Sequence, residues 1–201
     1  MTDTSSSFTS PPLPANDYLM RVQYYPQVFS AEECARIRAL PGDVALTEHY
    51  RMRSRLCRSE FERQSHYQSR LLPFEPSSQW LFDRLNQIIY SVNQEFFQFE
   101  ITSLAATQLV VMEAGDRLDW HLELGDGEFA KRKLTLLLFL SEPHFLSGGR
   151  MDFGSTPEPP RVQSPGSIFI FPAYMMTQIQ PVQAGQLCFL QTWAQGAHAF
   201  I

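Results

Sequence analysis

Hydrophobic and polar residues recur with two different periods along this chain, and the change of period falls near residue 107. Upstream the spacing is helical. Leu81, Leu85, Ile88, Ile89, Val92 and Phe96 return every three or four positions, which places them on one face of a helix that Ser77 or Ser78 can cap. A shorter helix is predicted after Ser30-Ala-Glu-Glu33, a capping-box sequence with Phe29 set to staple onto the first turn, and it should stop at Pro41-Gly42. Residues 43–58 alternate loosely and predict a flanking strand or two. Residues 59–76 are polar, end in Pro73 and Pro76, and read as loop.

Downstream, short β-rich segments follow one another between turn residues. They run Thr107–Glu113, Leu118–Leu124, Lys133–Leu140, Arg150–Phe153, Ser167–Phe171, Met175–Pro181 and Gln186–Trp193. Breaks fall at Gly115-Asp116, Gly125–Gly127, Ser147–Gly149, Thr156–Pro160, Pro165-Gly166 and Ala184-Gly185. Leu134–Leu140 and Ile168–Phe171 are apolar at nearly every position, the pattern of strands covered on both faces. Many strands with the helices segregated upstream predict a mainly β jelly roll with a helical flank. The helical layer is expected over about 30–97 and the barrel over about 106–196, in one domain spanning 18–201. Residues 1–17, rich in Ser, Thr and Pro, are expected to form a disordered tail.

Composition narrows the classes of partner. The 201 residues are 44% hydrophobic and 18% charged, enough apolar material for a sizeable core. A net charge of -5 gives no overall attraction to nucleic acid or anionic membranes. Arg51, Arg53, Arg55 and Arg58 form a local basic cluster, read first as solvated arginines. Cys34, Cys57 and Cys188 are odd in number and widely spaced, which argues against a disulfide framework or a zinc site and for a reducing cytoplasm. No apolar run approaches the ~18 residues of a membrane span, and the N-terminus lacks the pattern of a secretion signal.

One ordered set of motifs carries chemistry. Gln108-Leu-Val-Val-Met-Glu-Ala-Gly-Asp-Arg-Leu-Asp-Trp-His-Leu-Glu123 is followed by Arg132-Lys-Leu-Thr135, Leu140-Ser-Glu-Pro143 and Ser147-Gly-Gly-Arg-Met-Asp152. Pro165-Gly-Ser-Ile-Phe-Ile-Phe-Pro172, Pro181-Val-Gln-Ala-Gly185 and Trp193-Ala-Gln-Gly196 complete it. In this order and at these intervals the chain resembles the prolyl-4-hydroxylase-like branch of the iron(II)/2-oxoglutarate dioxygenases, in particular its small bacterial hydroxylases. With Phe29–Cys34, Arg53-Ser54 and Trp80–Asn93 the resemblance covers most of 25–196. It implies a double-stranded β-helix of the cupin-like kind.

The resemblance also implies a site, and the implied residues are largely replaced. The family holds Fe(II) with a His-x-Asp pair and a distant His, which leaves three positions open for co-substrate and oxygen. A deeper Arg or Lys binds the far carboxylate of 2-oxoglutarate, and a Tyr often adds a hydrogen bond. Here His121 stands at the first ligand, Glu123 at the aspartate and Thr177 at the distal histidine. Leu187 stands at the arginine and Met112 at the tyrosine. A hydroxyl is a poor ligand for Fe(II) beside an imidazole. Loss of a buried cationic partner costs roughly 3–5 kcal/mol, about a hundred- to thousand-fold in affinity.

Other residues enter as candidates for the same space. Arg132 or Lys133 could supply a replacement cation, and His144 or His198 a replacement ligand, although exposed loop histidines are the simpler reading; His49 and His66 precede the barrel. Gln108, Trp120, Thr177 and Trp193 are expected to line the pocket. Phe139, Phe169, Phe171, Tyr174, Phe189, Met175 and Met176 could line it or form plain core. Asp116 and Asp119 read as turn and strand-edge residues.

Three functions follow. The chain is a binding module or non-catalytic partner subunit that needs no cofactor, or an enzyme using His121 and Glu123 as cofactor-independent acid–base groups, or an oxygenase with relocated ligands that still uses Fe(II) and 2-oxoglutarate. The expected partner is a small molecule or peptide in the barrel, with a hetero- or homo-oligomer possible.

Overall fold

The computed structural model describes residues 16–45, 67–142, 145–154 and 163–200. Most of the expected tail, the arginine cluster at 51–58, Cys57, His49, His66 and His144 lie outside these residues. Asn16 and Asp17 of the expected tail are described, and the Asn16 side chain donates to the Phe96 carbonyl at 2.9 Å.

Helix α1 (Ala31–Arg38) begins where the capping box demands. Glu33 N–H donates to Ser30 Oγ at 3.1 Å, and Ser30 N–H donates to Glu33 Oε2 at 2.8 Å. Helix α2 (Gln79–Val92) buries Leu81, Phe82, Leu85, Ile89 and Val92, and leaves Ile88 half-buried. Ser78 sits at its N-cap but makes no capping hydrogen bond; its hydroxyl donates to the Pro73 carbonyl at 2.6 Å. Residues Asn93–Phe97 add one π-type turn, which carries half-buried Phe96 past the predicted face.

Twelve strands are described: β1 (Gln23–Tyr25), β2 (Asp43–Ala45), β3 (Gln68–Leu72), β4 (Ser103–Met112), β5 (Leu118–His121) and β6 (Arg132–Phe139), then β7 (Ser147–Gly148), β8 (Met151–Phe153), β9 (Ile168–Pro172), β10 (Thr177–Ile179), β11 (Val182–Ala184) and β12 (Leu187–Gln195). A seven-stranded sheet runs β1-β9-β6-β12-β4-β3-β2, a three-stranded sheet runs β5-β10-β8, and β11 pairs with β7. Every described strand pairing is antiparallel. Among the described residues the protein is mostly β, with two α-helices.

Several boundaries depart from the sequence pattern. The stretch 59–76, read as loop, contains β3, which pairs along β4 from Gln68 against Val111 to Leu72 against Thr107. Its sequence, Gln-Ser-Arg-Leu-Leu, has no alternation, so its strand conformation comes from backbone pairing rather than from side-chain pattern. β1 and β11 are likewise absent from the sequence pattern: β1 is a three-residue edge strand on β9, and β11 pairs with the two-residue β7. Conversely, Leu118–Leu124 shortens to β5, and Met175 and Met176 fall in the turn before β10.

The two apolar runs are buried on both faces. All eight residues of β6 and all five of β9 are buried. Side-chain alternation divides them between two cores. Leu134, Leu136, Leu138, Ile168 and Ile170 face the helices, whereas Leu137, Phe139, Phe169 and Phe171 face the three-stranded sheet. The turn into β9 also locks the helical layer. Gly166 has φ of +78°, its carbonyl accepts from Val28 and Phe29 N–H, and a Cβ there would lie 1.9 Å from the Phe29 carbonyl oxygen.

Candidate functional site

The site lies between the two larger sheets. Thr177 is paired directly with His121, and Leu118 with Ile179, so three steps along β5 match two along β10. This bulge turns Leu118 and His121 inward and leaves Trp120 outside, 43% exposed. Trp120, expected in the pocket, therefore lines the outer surface: the neighbour of an inward strand residue points outward. β5 ends at His121, and the chain reaches Glu123, whose N–H donates to the Ala173 carbonyl at 3.1 Å.

Glu123 is the centre of the polar contacts. Its Oε1 accepts from Gln191 Nε2 at 2.7 Å and lies 3.2 Å from His121 Nε2. Its Oε2 accepts from Trp193 Nε1 at 2.9 Å and lies 3.6 Å from the Arg132 guanidinium. Arg132 also donates to the Glu123 carbonyl at 3.0 Å and stacks 3.7 Å above the Trp193 ring. Burial alone would push the Glu123 carboxyl up. The hydrogen bond and charge of His121, the charge of Arg132 and the Trp193 N–H outweigh it, so the group is held below its ordinary value.

His121 is committed on both ring nitrogens. Nδ1 lies 2.8 Å from the Asp119 carbonyl and Nε2 faces the Glu123 carboxylate. Both neighbours are acceptors, so both contacts are hydrogen bonds only when both nitrogens carry protons.

The remaining candidates scatter. Thr177 is 2% exposed and borders the same space as His121 and Glu123. Gln108 donates to Gln191 Oε1 at 3.1 Å, one bond removed from Glu123. Leu187 and Met112 are paired across β12 and β4, and both are fully buried in the apolar core with Phe139 and Phe189. Lys133 places its ammonium 3.9 Å above the Phe200 ring; burial lowers its pKa and the Glu100 charge opposes this. Tyr174 donates its hydroxyl to the Leu19 carbonyl at 2.6 Å and packs on Phe99 and Phe200. Phe139, Phe169, Phe171, Phe189 and Met175 are core; Met176 and His198 are exposed. Asp116 accepts from Glu113 N–H at 2.7 Å in the turn, and Asp119 pairs with Arg117 at 3.3 Å.

Gln191 was not singled out in the sequence, and Arg132 was given a different role. Gln191 was legible in principle, because it shares a strand face with Leu187 and Trp193 at two-residue steps. Arg132 faces Glu123 only because the short turn Gly127–Lys131 brings the start of β6 back beneath it, which spacing does not reveal.

Little room is left. The space between Leu118, His121, Glu123, Leu137, Thr177 and Gln191 admits the centre of a water molecule over only ≈ 10 Å³, about one water. A larger hollow of ≈ 350 Å³, lined by Leu72, Phe74, Phe82 and Leu104–Thr107, lies by α2 and has none of these polar groups.

No family model matches the chain, and no curated protein matches it. Solved structures do. A prolyl-4-hydroxylase from Pseudomonas putida is 15% identical, covers 88% of this chain and 93% of its own, and superposes with a TM-score of 0.63. A 2OG-Fe(II) oxygenase family oxidoreductase from Burkholderia pseudomallei is 15% identical over 87% of this chain and 84% of its own, at 0.60. The viral collagen prolyl hydroxylase of Paramecium Bursaria Chlorella virus-1, in its 2OG complex, is 16% identical over 88% and 96%, at 0.61. The chain therefore has the fold of the prolyl-4-hydroxylase-like 2OG-Fe(II) oxygenases.

The residues at the positions that the resemblance implies do not fit that cofactor pair. The donor set is one imidazole with both nitrogens engaged, one carboxylate already held by neighbouring donors, and one hydroxyl. Among the described residues no three His, Cys, Asp or Glu side chains are grouped to hold a metal ion. Leu187, the residue that the resemblance puts at the dicarboxylate anchor, is buried against Met112 in an apolar cluster that contains no cation.

Proposed function

We propose that this chain is a non-catalytic binding protein built on the double-stranded β-helix of the 2-oxoglutarate oxygenases, acting as one domain over 18–201. The observation that carries this reading is the apolar closure of the anchor position, where Leu187 meets Met112 with both side chains fully buried. The three-stranded sheet β5-β10-β8 facing the seven-stranded sheet supports the barrel architecture. An interior with room for about one water favours a partner that docks outside over a ligand held within. Trp120 and Met176, 43% and 46% exposed on the outer side, are apolar surface that such an association would bury. The cofactor-independent enzyme is disfavoured, because the space beside His121 and Glu123 has room for about one water and none for a substrate. The buried thiols of Cys34 and Cys188 suit a reducing compartment such as the cytoplasm.

The test is anaerobic reconstitution with ferrous ion and 2-oxoglutarate, followed by exposure to oxygen. The expected result is no succinate and no rise in the melting temperature. Stoichiometric succinate would overturn the proposal.

A further inference from the structure

Glu123 stands at the position of a metal-ligating aspartate, yet its contacts describe a different occupation. We infer that Glu123 is the acceptor hub of an internal lock that fastens the β5–β6 connection to β12, doing with hydrogen bonds the cross-sheet tethering that a metal centre would do.

The parts of the lock come from four places in the chain. Gln191 and Trp193 project from the same face of β12 and donate one bond to each carboxylate oxygen, at 2.7 and 2.9 Å. Arg132, at the start of β6, lies 3.6 Å from the carboxylate and donates to the Glu123 carbonyl at 3.0 Å, gripping backbone and side chain together. His121 closes the remaining side at 3.2 Å from the end of β5. Gln108 on β4 orients the Gln191 amide, because its Nε2–H donates to Gln191 Oε1 and so leaves the Gln191 NH2 to face Glu123. A carboxylate has about four acceptor sites; Gln191, Trp193 and His121 lie at hydrogen-bond distance from this one, and Arg132 adds its charge at 3.6 Å.

The added methylene of glutamate matters here. A shorter aspartate on the same backbone would sit farther from β12, where the Trp193 and Gln191 donors are. Glu123 is a positioning residue in this reading, and it is unavailable to a metal for a reason separate from the loss of the third ligand at Thr177.

Two measurements test it. A double-mutant cycle on Glu123→Gln and Trp193→Phe, read by urea unfolding in EDTA, should show coupling of at least about threefold in the unfolding equilibrium constant, the lower end for directly bonded partners. Additive effects would overturn the lock. The second uses Thr177→His, which supplies an imidazole at the distal position. The lock predicts that Mn(II) binds this variant within about threefold of its affinity for the unmodified protein, by calorimetry. It also predicts at least about tenfold tighter Mn(II) binding once Gln191→Ala is added to free the carboxylate. Tight Mn(II) binding by Thr177→His alone would overturn it, as would equal affinities for the single and double variants when circular dichroism shows both folded. The cycle in EDTA reads the lock without metal or 2-oxoglutarate, so the two readings fail separately: succinate formation with the coupling intact would sink the non-catalytic reading, and additive effects without succinate would sink the lock.

Discussion

Trp193 donates its indole N–H to Glu123 Oε2 at 2.9 Å across 70 positions of sequence, so one bond ties the last long strand to the loop after β5. Trp193→Phe keeps an aromatic ring, smaller than the indole, under Arg132 and removes the donor. A buried carboxylate oxygen then loses its partner, which costs about 1–3 kcal/mol. Urea denaturation with an unchanged m-value should show this loss, since the exposed surface on unfolding is unaltered. An unchanged midpoint would mean that Glu123 is satisfied without Trp193.

Restoring the family's cation is expected to harm the protein. Leu187→Arg would put a guanidinium among Met112, Phe189 and Val182, where no carboxylate waits for it. A buried charge left without a partner costs about 3–5 kcal/mol. 2-Oxoglutarate at millimolar concentration should not offset the loss, because the neighbouring aromatic side chains already fill the space. Thermal unfolding of the variant with and without 2-oxoglutarate checks this, and a large ligand-dependent stabilisation would contradict it.

The sequence made the architecture legible where burial leaves a pattern. Alternation and apolar runs located β6 and β9, and the capping box located α1, because these features are written in adjacent residues. β3 was hidden, since a strand paired along β4 needs no side-chain pattern of its own. For the site, resemblance singles out His121, Glu123 and Thr177, and these three border one space. It did not indicate their bonding. Arg132 and Gln191 reach Glu123 through tertiary closure, and Trp120 faces out because of a bulge that one sequence does not announce.

Cys188 should be chemically inert in the native protein. Burial raises its thiol pKa to about 11, against the opposing charges of Arg38 and Arg70. Cys34 is also buried, with its pKa raised chiefly by desolvation. Thiolate is the reactive form, so iodoacetamide at pH 8 should leave both unmodified until denaturant is added. Peptide mapping by mass spectrometry reads each cysteine separately. Rapid native labelling of Cys188 would show that its surroundings open on the timescale of the reaction.

Glu33 should give α1 an acid-sensitive start. The Ser30 backbone N–H holds its carboxyl below the ordinary value, burial opposes this, and the Arg84 guanidinium adds to the lowering. A folded pKa below the unfolded one means that the unfolded chain binds the proton more readily as pH falls. The stabilisation is therefore complete above the ordinary carboxylate value of 4.5 and disappears as pH drops through the lower folded value. Glu33→Gln cannot titrate there. The stability difference between the parent and this variant should shrink between about pH 5 and pH 3, as measured by denaturant unfolding along a pH series. Ser30→Ala, which removes the other half of the capping box, should cost about 1 kcal/mol at neutral pH. A parent and a Glu33→Gln variant whose pH profiles run parallel through that range would show that the cap contributes nothing to acid stability.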